Sequence, residues 1–402
     1  MEIFTITINI LVIIIGYFIG SINPAYFFGR LKKFDIREKG DGIAGTVNTY
    51  HNLGLKFAIP TGIFDFFKGI VVIFIALSMG ADFVFAQLSG LAAIAGHVFP
   101  FYIKFRGGQG MACTSGILLA YLLNYILIGP EMLIFLFCYL IFIIAIFVYV
   151  TRTGVIIAPI VLALLGYTAF IYYPESPYNL FFWIVIAYDM SFTFYDMIKG
   201  KIIKIEDETF KSEWWRMVLR LLSLFFLVFY EFFSQSITLL IISIFLAFFI
   251  LLDLYRIFFK ESTGNNRTEV KSIFRKKEYQ KFSSISIYLV AFFITILVYP
   301  KNIAITATTF LIFGDISSKI FGLGFGRHKI LNKTIEGTLA FFGSMLVCGY
   351  FLYPLLGISL VVLVLGMIAA PIVELLSLEM DDNFTVPIIS AAVMYATYLA
   401  GF

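Results

Sequence analysis

Long apolar runs separated by polar loops occur along most of this chain. The first seven runs lie near residues 3–29, 57–79, 82–103, 111–128, 131–150, 154–173 and 178–198. The second seven lie near residues 215–233, 236–258, 284–300, 302–320, 335–353, 355–374 and 384–401. A helix of about 20 apolar residues spans the roughly 30 Å hydrocarbon core of a bilayer. The pattern therefore predicts an all-α polytopic membrane protein, with about fourteen transmembrane helices in two seven-helix bundles.

A polar segment near the middle of the chain, KGKIIKIEDETFKSEWWR at 199–216, separates the two sets of runs. Domain boundaries commonly fall in such segments, because few contacts cross them. We therefore expect a first membrane domain at 1–201, a polar connector at 202–214 and a second membrane domain at 215–402. Another polar stretch, 260–281, carries the basic residues Arg275, Lys276 and Lys277.

The composition agrees with a membrane class, since 61% of the residues are hydrophobic and only 13% are charged. The first run has neither a basic start nor a small-residue cleavage site, so we expect a retained span. Cys113, Cys138 and Cys348 lack the spacing of a disulfide framework or a metal site. The net charge of +4 is spread over several loops, which argues against a nucleic-acid partner.

Lysine and arginine concentrate in the loops that follow the odd-numbered runs. Because basic loops stay in the cytoplasm, these loops are expected on the cytoplasmic face of the plasma membrane, with both chain ends outside. The polar motifs described below fall mostly in the same loops. This arrangement predicts charged substrates taken from the cytosol.

Glycine-rich polar motifs characterise the first half, among them KFRGGQGMA at 104–112. Glycines let a ligand approach the backbone, and successive amides form nests for anions. The motifs therefore favour phosphate handling. Tight helix packing is the alternative for the glycine loop, a structural histidine for His97, and an intrahelical ion pair for Asp65 and Lys68.

Residues 3–201 resemble the bacterial acyl-phosphate:glycerol-3-phosphate acyltransferases, which have seven spans and make lysophosphatidic acid at the cytoplasmic face. The resemblance rests on a framework that includes Gly20, Ser21, Pro24, Asp35, Arg37, Gly40, Gly42, Gly45, Asn48, Asp65, Lys68, Gly69, Gly96, His97, Pro100, Phe105, Gly107, Gly108, Gly110 and Ala112. It implies acyl phosphate and glycerol 3-phosphate as partners. The implied site comprises Arg37, Asn48, His51, Lys68, His97, Lys104, Gly107, Gly108, Gln109 and Gly110.

Departures from that family pattern fall on polar substrate-binding positions. Asp41 and Ile43 stand in a Gly-Ser-Gly-Asn motif, His51 replaces an arginine, and Gln109 replaces the lysine of the glycine loop. Gly154, Met190, Thr193 and Asp196 replace further polar family residues. A phosphate dianion needs fixed cations and donors, so we expect little or no acyltransferase activity.

Acidic residues next to apolar runs characterise the second half, in LIFGDISSKIFGLGFGRHKILNKTIEGTLAFFGS (311–344) and VELLSLEMDDNFTVP (373–387). Carboxylates at membrane depth are costly and mark functional sites. A phosphoryl-transfer site would explain them, with carboxylates for Mg²⁺ or base catalysis and cations for phosphates. The candidate carboxylates are Asp315, Glu336, Asp381 and Asp382, the phosphate binders are Arg327, Lys329 and Lys333, and the turn glycines are Gly322, Gly324 and Gly326.

Residues 251–401 resemble the CTP-using membrane lipid kinases, which include dolichol kinase, phytol kinase and a diacylglycerol kinase, and the related phosphatidate cytidylyltransferases. The marks are Gly314-Asp315, Phe325 to Lys329, Lys333, Glu336 to Thr338, Glu374 to Leu376, Asp381 to Asn383, Thr385 and Pro387. The resemblance implies CTP as co-substrate, Asn383 in the nucleotide site, and Mg²⁺ held by Asp315, Asp381 and Asp382. The alternatives are topology anchors for Arg327 and Lys329, a helix cap for Asp315 and a solvated loop for the later acids.

The sequence thus predicts a glycerolipid-synthesis transferase, in which a degenerate acyltransferase-like domain is fused to a CTP-dependent kinase. Its lipid acceptor is expected to be diacylglycerol, with a polyprenol second. An active acyltransferase making lysophosphatidic acid is one alternative. A lipid-phosphate transporter is the alternative of another class, and it requires charges deep within the spans.

Overall fold

A computed structural model describes residues 2–200, 217–258, 281–376 and 380–402. The connector expected at 202–214, the basic cluster Arg275 to Lys277 and the acid Glu379 lie outside these residues. The first nine helices are α1 Glu2–Ser21, α2 Pro24–Leu31, α3 Thr46–Leu53, α4 Leu55–Ser78, α5 Phe83–Val98, α6 Met111–Ile128, α7 Glu131–Thr151, α8 Ile157–Tyr172 and α9 Asn179–Lys199. The later helices are α10 Leu224–Phe232, α11 Gln235–Phe258, α12 Ser284–Val298, α13 Lys301–Phe325, α14 Ile335–Leu356, α15 Leu360–Leu376 and α16 Asp382–Leu399.

The all-α prediction is confirmed, and the described residues add one short antiparallel hairpin, with β1 at Lys329–Ile330 and β2 at Lys333–Thr334. Within the described residues, nine helical segments are long and apolar enough to cross a membrane. α8, α12 and α15 are apolar but shorter. A multi-pass membrane protein is confirmed, whereas the count of fourteen spans stays a prediction.

The chain divides into two compact units. The first comprises Met1–Phe137 and Leu165–Asp196, and the second comprises Cys138–Leu164 and Met197–Phe402. The division falls within α7 and α8, so part of the first apolar set packs with the second unit.

Small residues let α1 and α5 pack closely in the first unit. A Cβ atom added to Gly20 would lie 2.2 Å from the Ala93 carbonyl oxygen, and one added to Gly96 would lie 2.2 Å from the Tyr17 carbonyl oxygen. Backbone-to-backbone contact of this kind requires glycine. The close packing fixes the ends of α1 and α5, which contact Lys68 through the Gly20 carbonyl and His97.

α13 is the most buried of the candidate spans and packs against α14 and α16 in the second unit. Its C-terminal end leads through Gly326 into the hairpin, which leads directly into α14. In this up-and-down arrangement, the end of α13, the hairpin, the end of α15 and the start of α16 lie at one end of the bundle. The acidic and basic motifs of the second half occur at these positions.

Candidate functional site

A polar cavity of about 850 Å³ opens at that end of the second unit. It is lined by Arg220, Asp315, Ser318, Lys319, Gly322, Leu323, Lys329, Leu331, Asn332, Lys333, Thr334, Glu374, Met380, Asp381, Asp382 and Asn383. The structure therefore brings together most of the residues that the sequence selected in the second half. We call this feature the acid–base cavity.

Lys333, on strand β2, is central to the charge pattern of the acid–base cavity. Its Nζ atom donates to Glu374 Oε1 at 2.7 Å and to Asp382 Oδ2 at 2.6 Å. The Ser318 hydroxyl donates to the same Glu374 oxygen at 3.0 Å. Burial lowers the pKa of Lys333, but the carboxylates of Glu374 and Asp382 outweigh burial and raise that pKa above its ordinary value. Lys333 is therefore a fixed cation that joins the hairpin, α15 and α16.

Asp315 forms ion pairs with Arg220 and with Lys319, whose Nζ lies 2.9 Å from Asp315 Oδ2. Arg220 also donates to the Asn383 side-chain oxygen at 2.7 Å. Sequence reasoning missed both bases. Lys319 lies four residues after Asp315 on one helix, a spacing that signals a pair. Arg220, in the helical residues 217–222, carried no local signal.

Asp381 serves as the N-cap of α16. Its Oδ1 atom accepts from the Asn383 backbone amide at 2.9 Å and from the Asn383 side-chain amide at 2.7 Å. A side-chain acceptor satisfies one of the free amides at a helix start. The capped turn holds Asp382 and Asn383 against the cavity.

Glu336 and Arg327 form hydrogen bonds with the backbone. Neither is among the described residues that line the acid–base cavity. The Glu336 side chain is fully buried and accepts from the backbone amides of Arg327 at 3.0 Å and His328 at 3.1 Å. The Arg327 guanidinium donates to the Tyr149 carbonyl at 2.7 Å. The expected catalytic carboxylate thus holds the turn, and the expected phosphate binder fastens it to the end of α7.

The three expected turn glycines occupy different positions. Gly322 and Gly324 lie within α13, and Gly326 follows its end. Gly322 lines the cavity, whereas a Cβ atom added to Gly324 would meet nothing within 4 Å. A Cβ atom added to Gly326 would lie 2.2 Å from the Gly322 carbonyl oxygen. The turn itself therefore requires only Gly326.

Two carboxylates of the acid–base cavity, those of Asp315 and Asp382, are each paired with a basic side chain. In residues 2–200, 217–258, 281–376 and 380–402, no three His, Cys, Asp or Glu side chains are placed to hold one metal ion. Mg²⁺ is usually held by one or two carboxylates together with substrate phosphates and waters. Asp315 and Asp382 line the cavity, so the donor set fits Mg²⁺ bound to a polyphosphate.

A glycine loop and a buried polar cluster make up the candidate site of the first unit. The amides of Gly107 and Gly108 donate to the carbonyls of Val98 at 3.0 Å and His97 at 3.1 Å. The Tyr188 hydroxyl donates to the Gln109 carbonyl at 2.7 Å. Both glycine amides are thus used within the protein, and Gln109 replaces the family's lysine at the centre of the loop. Gly110 has a positive φ of 82° at the start of α6, a conformation that favours glycine.

The buried cluster consists of Asp65 and Lys68 on α4 and His97 on α5. Lys68 Nζ lies 2.9 Å from Asp65 Oδ1, 2.5 Å from His97 Nδ1 and 3.0 Å from the Gly20 carbonyl oxygen. These contacts join α4, α5 and the end of α1. Lys68 is therefore a structural cation and is more than an intrahelical partner of Asp65.

Arg37 and Asn48 hold the polar loop between α2 and α3. Arg37 donates to Asp35 Oδ1 at 2.9 Å and to the Ile103 carbonyl at 2.6 Å. The hydrogen bond from the Arg37 side chain lowers the pKa of Asp35 below its ordinary value of 3.8, although burial acts in the opposite direction. The side-chain nitrogen of Asn48 lies 2.9–3.0 Å from three carbonyl oxygens of the loop. His51 and Lys104 are exposed at the surface.

The helices and the two polar sites define a multi-pass membrane protein with a glycine loop in one unit and a charged cavity in the other. The profile of the family described as glycerol-3-phosphate acyltransferase matches residues 10–203. The protein described as glycerol-3-phosphate acyltransferase 2 of Thermotoga maritima is 35% identical over 155 residues, which are 38% of this chain and 75% of that protein. The chain belongs to the glycerol-3-phosphate acyltransferase family.

Two other relatives give the extent of the similarity. The glycerol-3-phosphate acyltransferase of Thermosipho melanesiensis is 37% identical over 108 residues, 27% of this chain and 53% of that protein. This chain spans about half the length of the first curated relatives that it matches. A crystal structure of PlsY (YgiH), an integral membrane glycerol 3-phosphate acyltransferase, in its glycerol 3-phosphate form is 26% identical, with a TM-score of 0.37. The match covers 48% of this chain and 93% of that chain.

Proposed function

We propose that this protein is a glycerolipid-synthesis transferase whose second unit phosphorylates a lipid alcohol with CTP. The observation that supports the proposal is the convergence of Asp315, Lys333, Glu374 and Asp382 on one cavity. Fixed charges around a polyphosphate are the main requirement of phosphoryl transfer, because catalysis of this reaction rests on positioning and electrostatics. The reaction converts CTP and a lipid alcohol into CDP and a lipid phosphate.

The basic side chains of the cavity bind the phosphates in this proposal. Lys329 is exposed and meets the nucleotide first, while Lys319 and Lys333 lie deeper, each next to a carboxylate. Asp315 and Asp382 would hold Mg²⁺, which neutralises charge on the transferring phosphoryl group when it is bound. Asn383 lines the cavity between Arg220 and Asp381, and we assign it to the nucleotide site.

Diacylglycerol is the first acceptor that we propose, since the first unit belongs to a glycerolipid-synthesis family. A polyprenol is the second. The basic loops support a site on the cytoplasmic face of the plasma membrane. A lipid-phosphate transporter would require a path open to both sides of the membrane, whereas the acid–base cavity opens at one end of the second unit.

Acyl transfer from acyl phosphate to glycerol 3-phosphate is the second candidate function, and family membership favours it. Arg37, Asn48 and Lys68 are retained, and each is committed to hydrogen bonds that hold the fold. Gln109 removes a cation from the glycine loop, where a phosphate would need one. We therefore propose a retained scaffold with weak acyl transfer.

The two functions are tested separately on the purified full chain in micelles. The first assay follows transfer of label from [γ-³²P]CTP to diacylglycerol, a polyprenol and other isoprenoid alcohols, with ATP as the alternative donor. The second follows radiolabelled glycerol 3-phosphate with acyl phosphate. Labelled phosphate ester of diacylglycerol formed from CTP, and slow formation of lysophosphatidic acid, are the expected results. Absence of label from every alcohol overturns the kinase proposal, and rapid acylation overturns the proposal of weak acyl transfer.

A further inference from the structure

Glu374 lies in the last turn of α15 and is the most buried carboxylate of the acid–base cavity, with 3% of its surface exposed. Its two oxygens have different surroundings. Oε1 accepts from Lys333 and Ser318, whereas Oε2 is buried and has no hydrogen-bond partner among the described residues. Because a buried carboxylate oxygen is costly without a donor, a ligand of the cavity is expected to provide one.

The apolar part of the cavity indicates the kind of ligand. Leu323, Leu331 and Met380 line the same cavity, and 48%, 69% and 57% of their surfaces are exposed. Exposed apolar side chains beside a charged interior suit a ligand with a hydroxyl head and a hydrocarbon body. On α15, Ile368, Ile372 and Leu376 form an exposed apolar stripe at four-residue spacing that reaches the level of Glu374. A lipid alcohol matches these features.

We infer that Glu374 Oε2 accepts the proton of the lipid hydroxyl and is the general base of the reaction, an assignment that rests on the proposed function. The O–H bond of the lipid breaks and its proton moves to Oε2. The freed oxygen pair forms the new bond to the γ-phosphorus of CTP, and the bond from that phosphorus to the β-bridging oxygen breaks. The electron pair leaves with CDP, and the carboxylic acid then returns its proton to water.

The hydrogen bonds at Oε1 support the assignment of different roles to the two oxygens of Glu374. Lys333 and Ser318 hold one oxygen of Glu374, which leaves the other oxygen without a protein donor among the described residues. Asp315 and Asp382 are each paired with a cation in the cavity. Glu374 also shares Lys333, but its second oxygen is kept from both the cation and the solvent. General-base catalysis requires hydrogen-bond access to the reacting proton, and in this proposal the lipid hydroxyl reaches Oε2 from the cavity that Glu374 lines.

The test compares Glu374→Gln, Glu374→Asp and a matched control, Glu231→Gln. Glu231 pairs with Lys301 at the start of α13, the helix end opposite the cavity. Binding of [α-³²P]CTP by equilibrium dialysis and the kcat for diacylglycerol phosphorylation are measured for each protein. Glu374→Gln is expected to lower kcat by about a hundredfold or more while CTP binds as in the wild type. Glu374→Asp recovers part of the rate, and Glu231→Gln keeps all of it.

Three results would overturn the assignment. One is a Glu374→Gln variant that keeps kcat within about threefold of wild type, because a lost general base costs about a hundredfold or more. Another is a variant whose rate loss is explained entirely by lost CTP binding. The last is a wild-type protein that labels no lipid alcohol, which overturns the proposed function as well; an active Glu374→Gln variant overturns the assignment alone.

Discussion

Lys333 Nζ lies 2.6 Å from Asp382 Oδ2, and this ion pair joins the hairpin after α13 to the first turn of α16. The segments are far apart in the sequence, and each carries little chemistry alone. Their contact places a cation whose pKa is raised beside two carboxylates, because Lys333 also binds Glu374. The expected effects of replacing Lys333 or Asp382 depend on this contact.

Replacement of Lys333 by methionine is expected to lower phosphoryl transfer by about a hundredfold. The substitution also removes the hydrogen bonds that Lys333 donates to the carboxylates of Glu374 and Asp382. The free energy of unfolding should therefore fall by about 1.5–3 kcal/mol. Kinase assays and thermal unfolding in micelles measure the two effects. Lys329→Met is the control, since Lys329 is exposed and has no such ion pairs among the described contacts; it should weaken CTP binding without loss of stability. Equal stability losses would contradict this prediction.

Asp315→Asn and Asp382→Asn are each expected to reduce turnover by about a hundredfold, the usual effect of removing one electrostatic contact. Both side chains line the cavity, and each forms an ion pair with a lysine. Steady-state rates with CTP and diacylglycerol measure the effect. Near-normal rates in both variants are incompatible with a phosphoryl-transfer site here.

Acidification is expected to destabilise the first unit through Asp35. Hydrogen bonding to Arg37 places the pKa of folded Asp35 below 3.8, so the stabilisation is present above about pH 3.8 and is lost as pH falls through the lower folded value. Arg37→Met removes the largest cause of the lowered pKa of Asp35. Thermal unfolding between about pH 5 and pH 3 should therefore show a smaller acid loss in the variant than in wild type. Parallel pH curves would refute the role of this pair.

Two glycines near the cavity are expected to respond oppositely to alanine. Gly326→Ala brings a Cβ atom to 2.2 Å from the Gly322 carbonyl oxygen and should destabilise the fold by about 1–3 kcal/mol. Gly324→Ala meets nothing within 4 Å in α13 and should stabilise it by about 0.5–1 kcal/mol through helix propensity. The melting temperatures of the two variants and of the wild type in micelles measure both effects. Shifts of the same sign would contradict the positions described for these glycines.

Gln109→Lys is expected to raise acyl transfer in the first unit. A new cation in the glycine loop adds a charge-assisted contact to phosphate worth about 1.5–3 kcal/mol, which is about a ten- to hundredfold gain in kcat/KM. Gln109→Leu, which adds no charge, should give no gain. A wild type as fast as the lysine variant would mean that the loop does not need this cation.

Much of the second site follows from sequence because the fold is an up-and-down bundle. Hydropathy locates the helices, and alternate helix ends then fall on one side. Lys333 and Asp382 lie near such ends, so their convergence in a cavity could be predicted, whereas Asp315 lies in the interior of α13 and borders the same cavity. Lys319 could have been found from its four-residue spacing to Asp315.

Other features depend on contacts that no local pattern encodes. Arg220 reaches Asp315 from a distant part of the chain. Glu336 has the charge and position of a catalytic acid, yet the backbone amides of Arg327 and His328 occupy its carboxylate. Arg327 in turn binds a carbonyl at the end of α7. Whether backbone amides or a ligand occupy a carboxylate such as that of Glu336 can be seen only in the three-dimensional structure.

The position of the transferred label tests the central claim most directly. Purified protein is incubated with diacylglycerol and Mg²⁺, in parallel with [γ-³²P]CTP and [α-³²P]CTP, and the lipid extract is counted. Phosphorylation of the lipid predicts label from the γ-position and none from the α-position. Label from neither position, or from the α-position through cytidylyl transfer, would contradict a CTP-dependent lipid kinase.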